Sequence, residues 1–260
     1  MRIIAGEFRG RLLVEPRFDT TRPITDRAKQ SLFDILSPIL EDAVVYDCFC
    51  GTGSMGLECL SRGARHATFF DMDRHALAGL KKNIETLGVQ DRAKIMAGDI
   101  FKFFPPPLEG GGRGRGPQGS IENQPALSTE ETQTPRRESW IRDSRRGVGS
   151  SENEVDQTLQ PLPPPRQARL PARGGEEEIS LLFFDPPYPF LRQKPHQLVD
   201  LMTRLLHHRL APDATILFRH DTADALTLPG LIQTDLRTYG GMAIEILRPA
   251  NPANEPAQAE

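Results

Sequence analysis

The run Ile179-Ser180-Leu181-Leu182-Phe183-Phe184 is almost entirely apolar and stops abruptly at Asp185-Pro186-Pro187-Tyr188. A stretch of that length without polar alternation reads as a strand covered on both faces, as found inside a parallel sheet. The end of such a strand lies at the edge where open α/β sheets bind ligands.

The four residues at that end are chemically specific. Two consecutive prolines fix φ and remove two backbone donors, so the Asp185 and Pro186 carbonyls face outward without neighbouring N–H groups. An acceptor-only carboxylate, bare carbonyls and the Tyr188 ring then stand together. This set suits a flat base with an exocyclic amino group, whose N–H protons need acceptors and whose ring can stack. A Pro-rich turn with a capping Asp and a packing Tyr fits the same four residues, so other segments must separate the two readings.

Three further strands carry ligand-edge residues. Val44 to Cys50 leads into Gly51-Thr52-Gly53-Ser54-Met55-Gly56, a G-x-G-x-x-G loop between a strand and a helix that ends near Gly63. His66 to Phe70 ends in Asp71-Met72-Asp73, which places an acid about twenty residues beyond the first glycine, where nucleotide-binding folds hold a ribose diol. Ala93 to Met96 is followed by Gly98-Asp99 and a small amphipathic piece, Ile100 to Phe104. Each strand thus delivers a glycine loop or an acid to one sheet edge, and the coincidence outweighs any motif alone. The helices are set by apolar spacing. Ala28 to Leu36 starts at Thr25 or Asp26 as N-cap with Pro38 beyond its end, Leu77 to Leu87 closes at Gly88, and His196 to His208 turns Leu198, Leu201, Met202 and Leu205 inward. His196, His207 and His208 have no acid at triad spacing and read as surface or helix-end residues. Ala214 to Phe218 is a strand, and Leu231 to Tyr239 pairs with Met242 to Leu247 across Gly240-Gly241.

At the amino end, Arg2 to Pro16 reads as a short hairpin turning at Phe8 to Arg11. Arg2, Arg9, Arg11, Arg17, Arg22 and Arg27 all precede the first long helix. They could form a basic flap that grips phosphates, or be scattered surface charges diluted by Glu7, Glu15, Asp19 and Asp26. With a net charge of −3 over 260 residues, any basic surface must be local. No apolar run reaches membrane length and the first residues lack a signal peptide's apolar core, so the expectation is a cytoplasmic protein without a membrane partner. Cys48, Cys50 and Cys59 lack a partner pair at zinc-ligand spacing and read as small buried residues, with no metal site. The expected organisation is an N-terminal extension over 1–25, a catalytic domain over 26–104 and 179–249, a low-complexity disordered insertion over 105–178, and a polar tail over 250–260. The Gly110 to Gly116 run could touch RNA or be a plain loop.

Taken together, the chain resembles the class I S-adenosylmethionine-dependent methyltransferases, and among them the RsmD-type family that methylates N2 of a guanine in small-subunit (16S) ribosomal RNA. The resemblance rests on Met1 to Gly6 with Arg9-Gly10, Arg22 to Arg27 with Leu32-Phe33, Asp47 to Ala64, and Asp185 to Tyr188. It implies a Rossmann-like α/β fold with a seven-stranded, mostly parallel sheet, helices on both faces and an N-terminal β-hairpin extension. It implies S-adenosylmethionine as cofactor, held by Asp47, Gly51, Gly53, Gly56, Asp71 and Asp99, with the glycines at the methionine portion, Asp71 at the ribose and Asp99 at the adenine amino group. Asp185, Pro186, Pro187 and Tyr188 would be the catalytic element, and Arg9, Arg11, Arg22 and Arg27 would meet RNA. The partner would be ribosomal RNA or the small subunit, engaged by a monomer. This chain departs from the family's pattern at Phe49-Cys50, where Phe-Ala is usual, at Gln30, where Glu is common, and in its long insertion. Three other readings use parts of the same sequence. Adenine-N6 methyltransferases share the Asp-Pro-Pro-Tyr, a nicotinamide dehydrogenase would use the glycine loop with Asp71, and a non-enzymatic RNA binder would use the arginines alone.

Overall fold

The computed structural model describes residues 1–15, 24–104 and 177–250. The expectations for Arg17, Arg22, the Gly-Arg run, nearly all of the insertion and the tail beyond residue 250 lie outside these residues.

Among the described residues, seven strands form one sheet in the order β3-β2-β1-β4-β5-β7-β6. They are β1 (Val44–Cys48), β2 (His66–Asp71), β3 (Ala93–Ala97), β4 (Ile179–Phe184), β5 (Leu210–Asp221), β6 (Leu231–Tyr239) and β7 (Met242–Pro249). β1 to β5 are mutually parallel, and β7 runs antiparallel between β5 and β6. This is the sheet of the class I methyltransferase fold. The strand order reverses between β1 and β4, so the ligand edge is the pair of carboxyl ends at that switch point.

β4 lies at the centre, and all six of its residues are buried, as an unbroken apolar run requires. Its alternating side chains feed two cores. Leu181 and Phe183 join a cluster beneath α1 (Asp26–Leu40), α2 (Ser54–Ser61) and α3 (Arg74–Leu87), whereas Leu182 and Phe184 join one beneath α5 (Pro195–His208). Helices therefore cover both faces.

The boundaries obey local chemistry, with some differences from the sequence reading. α1 starts at Thr25, whose hydroxyl accepts from the Ala28 N–H at 3.2 Å. It does not stop before Pro38 but runs through it to Leu40. Proline here weakens only the final turn, and burial of Ile39 and Leu40 holds that turn in place. β5 is twelve residues long, because its pairing with β4 and β7 continues well past Ala214 to Phe218. A short helix not read from the sequence, α4 (Tyr188–Gln193), begins directly after the two prolines, with Pro189 tolerated in its first turn.

The amino-terminal segment forms a single antiparallel bridge, Arg2 with Leu12, rather than two paired strands. It is tied into the domain: Ile3 and Leu13 are buried in the core, and the Glu7 N–H donates to the Ser61 carbonyl at 2.7 Å. Cys48 and Cys59 are buried free thiols and Cys50 is half-buried. Among the described residues, no helix is long and apolar enough to cross a membrane.

Candidate active site

The carboxyl ends of the parallel strands gather most of the acids read from the sequence. β1 pairs Asp47 with Phe183 of β4, and β4 pairs Phe184 with Phe218 of β5. Because strand side chains alternate, Asp47, Asp185 and Arg219 share the face that α1, α2 and α3 cover, with Asp47 level with Phe183. Beside them lies a cavity of about 310 Å³, within the usual range for small-molecule sites. Its walls include Asp47, Gly51, Asp71, Asp99, Asp185 and Pro187 from the sequence-derived set. They also include Phe49, Phe101, Phe190, Lys194 and Arg219, which the sequence did not single out. Gly53, Gly56, Pro186 and Tyr188 are not among the lining residues.

Asp185 is gripped by Arg219 through a two-pronged contact. Nε donates to Oδ1 at 2.7 Å and Nη2 approaches Oδ2 at 2.5 Å. Burial raises the Asp185 pKa, and the neighbouring guanidinium opposes that rise. On the arginine, burial disfavours the charge, but Asp185, with smaller contributions from Tyr188 and Asp47, more than offsets this and raises the pKa. Tyr188 begins α4, where it is half-buried. The Pro187 carbonyl is already taken by the Phe190 N–H at 2.7 Å.

Asp47 is nearly inaccessible and accepts one hydrogen bond, from the Gly56 N–H at 2.9 Å. Burial, reinforced by the charges of Asp185 and Asp71, pushes its pKa up to about 7. Asp71 accepts from the Gly51 N–H at 2.7 Å and the Asp73 N–H at 2.9 Å, which fixes the glycine loop to the end of β2. Asp99 caps the short turn that succeeds β3 by accepting from the Phe101 N–H at 3.1 Å.

The three glycines do different work. Gly51, at φ 56°, has open space where a side chain would stand, and it faces the cavity. A Cβ at Gly53 would meet Leu80 Cδ1 at 2.4 Å, and one at Gly56 would meet Phe69 Cε1 at 2.4 Å. These two let α2 lie close on the sheet and on α3.

An aromatic wall completes the cavity. The rings of Phe49, Phe101 and Phe190 form a triangle with centroids 6.2, 6.2 and 6.3 Å apart, and the Lys194 ammonium sits 4.4 Å from the Phe190 centroid. Phe49 takes a left-handed backbone at φ 61°, a conformation non-glycine residues rarely hold outside sites that need it. No periodicity marks these aromatics, because they sit in loops and helix ends. Arg219 did carry a signal: it is a charge ending the apolar run Ile216-Leu217-Phe218, legible once the β4–β5 register is known. Arg9, Arg11 and Arg27 are exposed and do not line the cavity.

Residues 1–110 match the family described as Conserved hypothetical protein 95. Ribosomal RNA small subunit methyltransferase D of Escherichia coli K12 is 48% identical over 104 residues, covering 40% of this chain and 52% of that protein. The Haemophilus influenzae protein of the same name is 38% identical over 108 residues, covering 41% and 56%. The chain thus spans about half the length of the curated relatives it matches. Among solved structures, the E. coli protein yhhF superimposes with a TM-score of 0.61 at 23% identity, covering 96% of this chain and 99% of that one. A second, from H. influenzae, gives 0.56 at 22%, covering 96% and 98%. At these identities the superpositions speak for the fold. The first 110 residues are therefore similar to the Conserved hypothetical protein 95 family, and the chain shares the α/β fold of these solved structures.

Proposed function

We propose that this protein transfers a methyl group from S-adenosylmethionine to the exocyclic N2 of a guanine in small-subunit ribosomal RNA. The observation that carries the reading is Asp185: a carboxylate with acceptor capacity to spare, beside two prolines, at the switch-point cavity of a methyltransferase fold. The relatives' names supply the RNA class, and the base comes from the family resemblance.

The residues present fit the cofactor. Carboxylates at Asp47, Asp71 and Asp99 suit a ligand with cationic and hydroxyl groups, Gly51 permits close approach, and the Phe wall offers ring faces. When bound, S-adenosylmethionine supplies an electrophilic methyl group on a sulfonium. The amino nitrogen of guanine is a poor nucleophile because its lone pair is delocalised into the ring. Asp185, which lines the cavity, accepts its protons, which draws the nitrogen towards tetrahedral geometry and frees the lone pair. The alkylated nitrogen is cationic and acidic, so even a weak base such as a carboxylate can take the proton. Arg9, Arg11, Arg22 and Arg27 grip the RNA backbone. The protein acts as a monomer in the cytoplasm, where ribosomal RNA is met.

The test is transfer of labelled methyl groups to undermethylated small subunits, naked ribosomal RNA and duplex DNA, with nucleoside analysis of the products. N2-methylguanosine from RNA is expected. N6-methyladenosine as the sole product, or transfer to DNA alone, would overturn the assignment.

A further inference from the structure

We propose that Arg219 is a positioning residue for methyl transfer, its guanidinium fork holding the Asp185 carboxylate in one orientation with an acceptor edge turned to the cavity. The inference rests on the proposed methyl transfer and extends it to a residue on a different strand.

The geometry is specific. Nε and Nη2 each engage one carboxylate oxygen, at 2.7 and 2.5 Å, and Nη1 lies 3.9 Å from the Met242 sulfur. A two-pronged arginine contact fixes the carboxylate plane as well as its position, which a lysine point charge cannot do. An ionised carboxylate offers about four acceptor sites. Arg219 occupies two, and no other hydrogen bond to Asp185 occurs among the described residues. Two acceptor sites remain for the amino group. Without the fork, Asp185 can rotate about its side-chain bonds and the acceptor edge is no longer aimed. The pair also moderates the base: the guanidinium holds the carboxylate below where burial alone would put it, which suits an orienting acceptor.

Arg219 has a second effect. Burial favours the protonated acid, which donates where it should accept, and the guanidinium works against this. Tyr188 on α4 and Asp47 on β1 act on the pair, and Asp71, Asp73, His75, Asp99 and Lys194 line the same cavity. Of these, Asp47, with its pKa near 7, is the group whose titration could be mistaken for that of Asp185.

The experiment compares wild type, Arg219→Met and Arg219→Lys. At neutral pH, Arg219→Met should lower kcat about a hundredfold with KM for RNA little changed, since misplacing a reacting group costs on that order. Arg219→Lys should recover part of the loss by restoring charge without the fork. The acidic limb of the pH–rate profile should move to higher pH in Arg219→Met, and a proportional loss at every pH would overturn the proposal. Carbon-detected NMR of carboxyl-labelled aspartate, with Asp185 assigned through Asp185→Asn, tracks the carboxylate directly. Its titration must rise in Arg219→Met, and an unchanged titration defeats the positioning role. That measurement needs no turnover. A wild-type protein that transfers nothing would therefore defeat the methyltransferase reading, while the titration still decides whether Arg219 controls Asp185.

Discussion

Glu58 on α2 is a fully buried carboxylate and Asp185 after β4 a half-buried one, each set against a cation, yet they are held in opposite ways. Glu58 accepts from Lys29 at 3.0 Å, Arg62 at 2.9 Å, the Ile4 N–H at 2.8 Å and the Ala5 N–H at 3.0 Å. All four of its acceptor sites are filled by the chain itself. It pins the amino-terminal segment to α1 and α2, and nothing is left for a ligand. Among the described residues Asp185 is held by Arg219 alone, with two acceptor sites to spare and a cavity in front of it. A saturated buried carboxylate is a structural clamp. One left half-filled at a sheet's ligand edge bears a desolvation cost that substrate hydrogen bonds can relieve. Asp47 lies further along the same scale: nearly inaccessible, with one hydrogen bond and a pKa near 7.

The comparison breaks if the two substitutions behave alike. Asp185→Ala should abolish methyl transfer, a fall of about 10³-fold or more, while calorimetry still detects S-adenosylmethionine binding. Full turnover in that variant would remove Asp185 from the site. Glu58→Ala should act on folding, destabilising the protein by about 3–5 kcal/mol because Lys29 is left buried and uncompensated. Its readout is a denaturant midpoint, and a fall of less than about 1 kcal/mol would show the clamp to be dispensable.

Asp47 sharpens the scale through pH. Its folded pKa of about 7 lies above the ordinary 3.8, so the native state holds its proton more tightly than the unfolded chain does. The charged form therefore penalises stability increasingly as pH rises from about 4 to about 7, and fully above that range. Asp47→Asn, which keeps an acceptor for the Gly56 N–H, should be more stable than wild type at about pH 8, with the gap closing towards about pH 4. Thermal melts across that range check the sign, and a gap that widens on acidification contradicts it. The smallest effects are expected on the exposed surface. Arg9→Ala or Arg11→Ala should weaken RNA binding modestly, and each should reduce the salt dependence by about one counterion's worth. An unchanged slope would exclude that arginine from the phosphate contacts.

Much of this could be read before any fold was known, where function and local chemistry coincide. The unbroken apolar run of β4 announced burial on both faces, and the glycine loop, Asp71 and Asp99 each come at or just after a strand whose end defines the ligand edge. Pairing with tertiary neighbours altered the rest. Proline at position 38 signals a helix end, but burial of Ile39 and Leu40 carries α1 onward. The G-x-G-x-x-G spacing suggests three ligand glycines, whereas Gly53 and Gly56 are required by Leu80 and Phe69, and only Gly51 faces the cavity.

Local sequence determined that the central strands exist and which acids stand at their carboxyl ends, because these depend on periodicity, turn chemistry and residues within a few positions of one another. Tertiary structure alone decided the partners. Arg219 lies 34 residues beyond Asp185 and meets it only because β4 and β5 are adjacent and in a definite register. Glu58 is saturated only because a segment more than fifty residues earlier folds back onto it. Whether a buried carboxylate is a clamp or an open acceptor depends on how many donors surround it, and those donors come from across the fold.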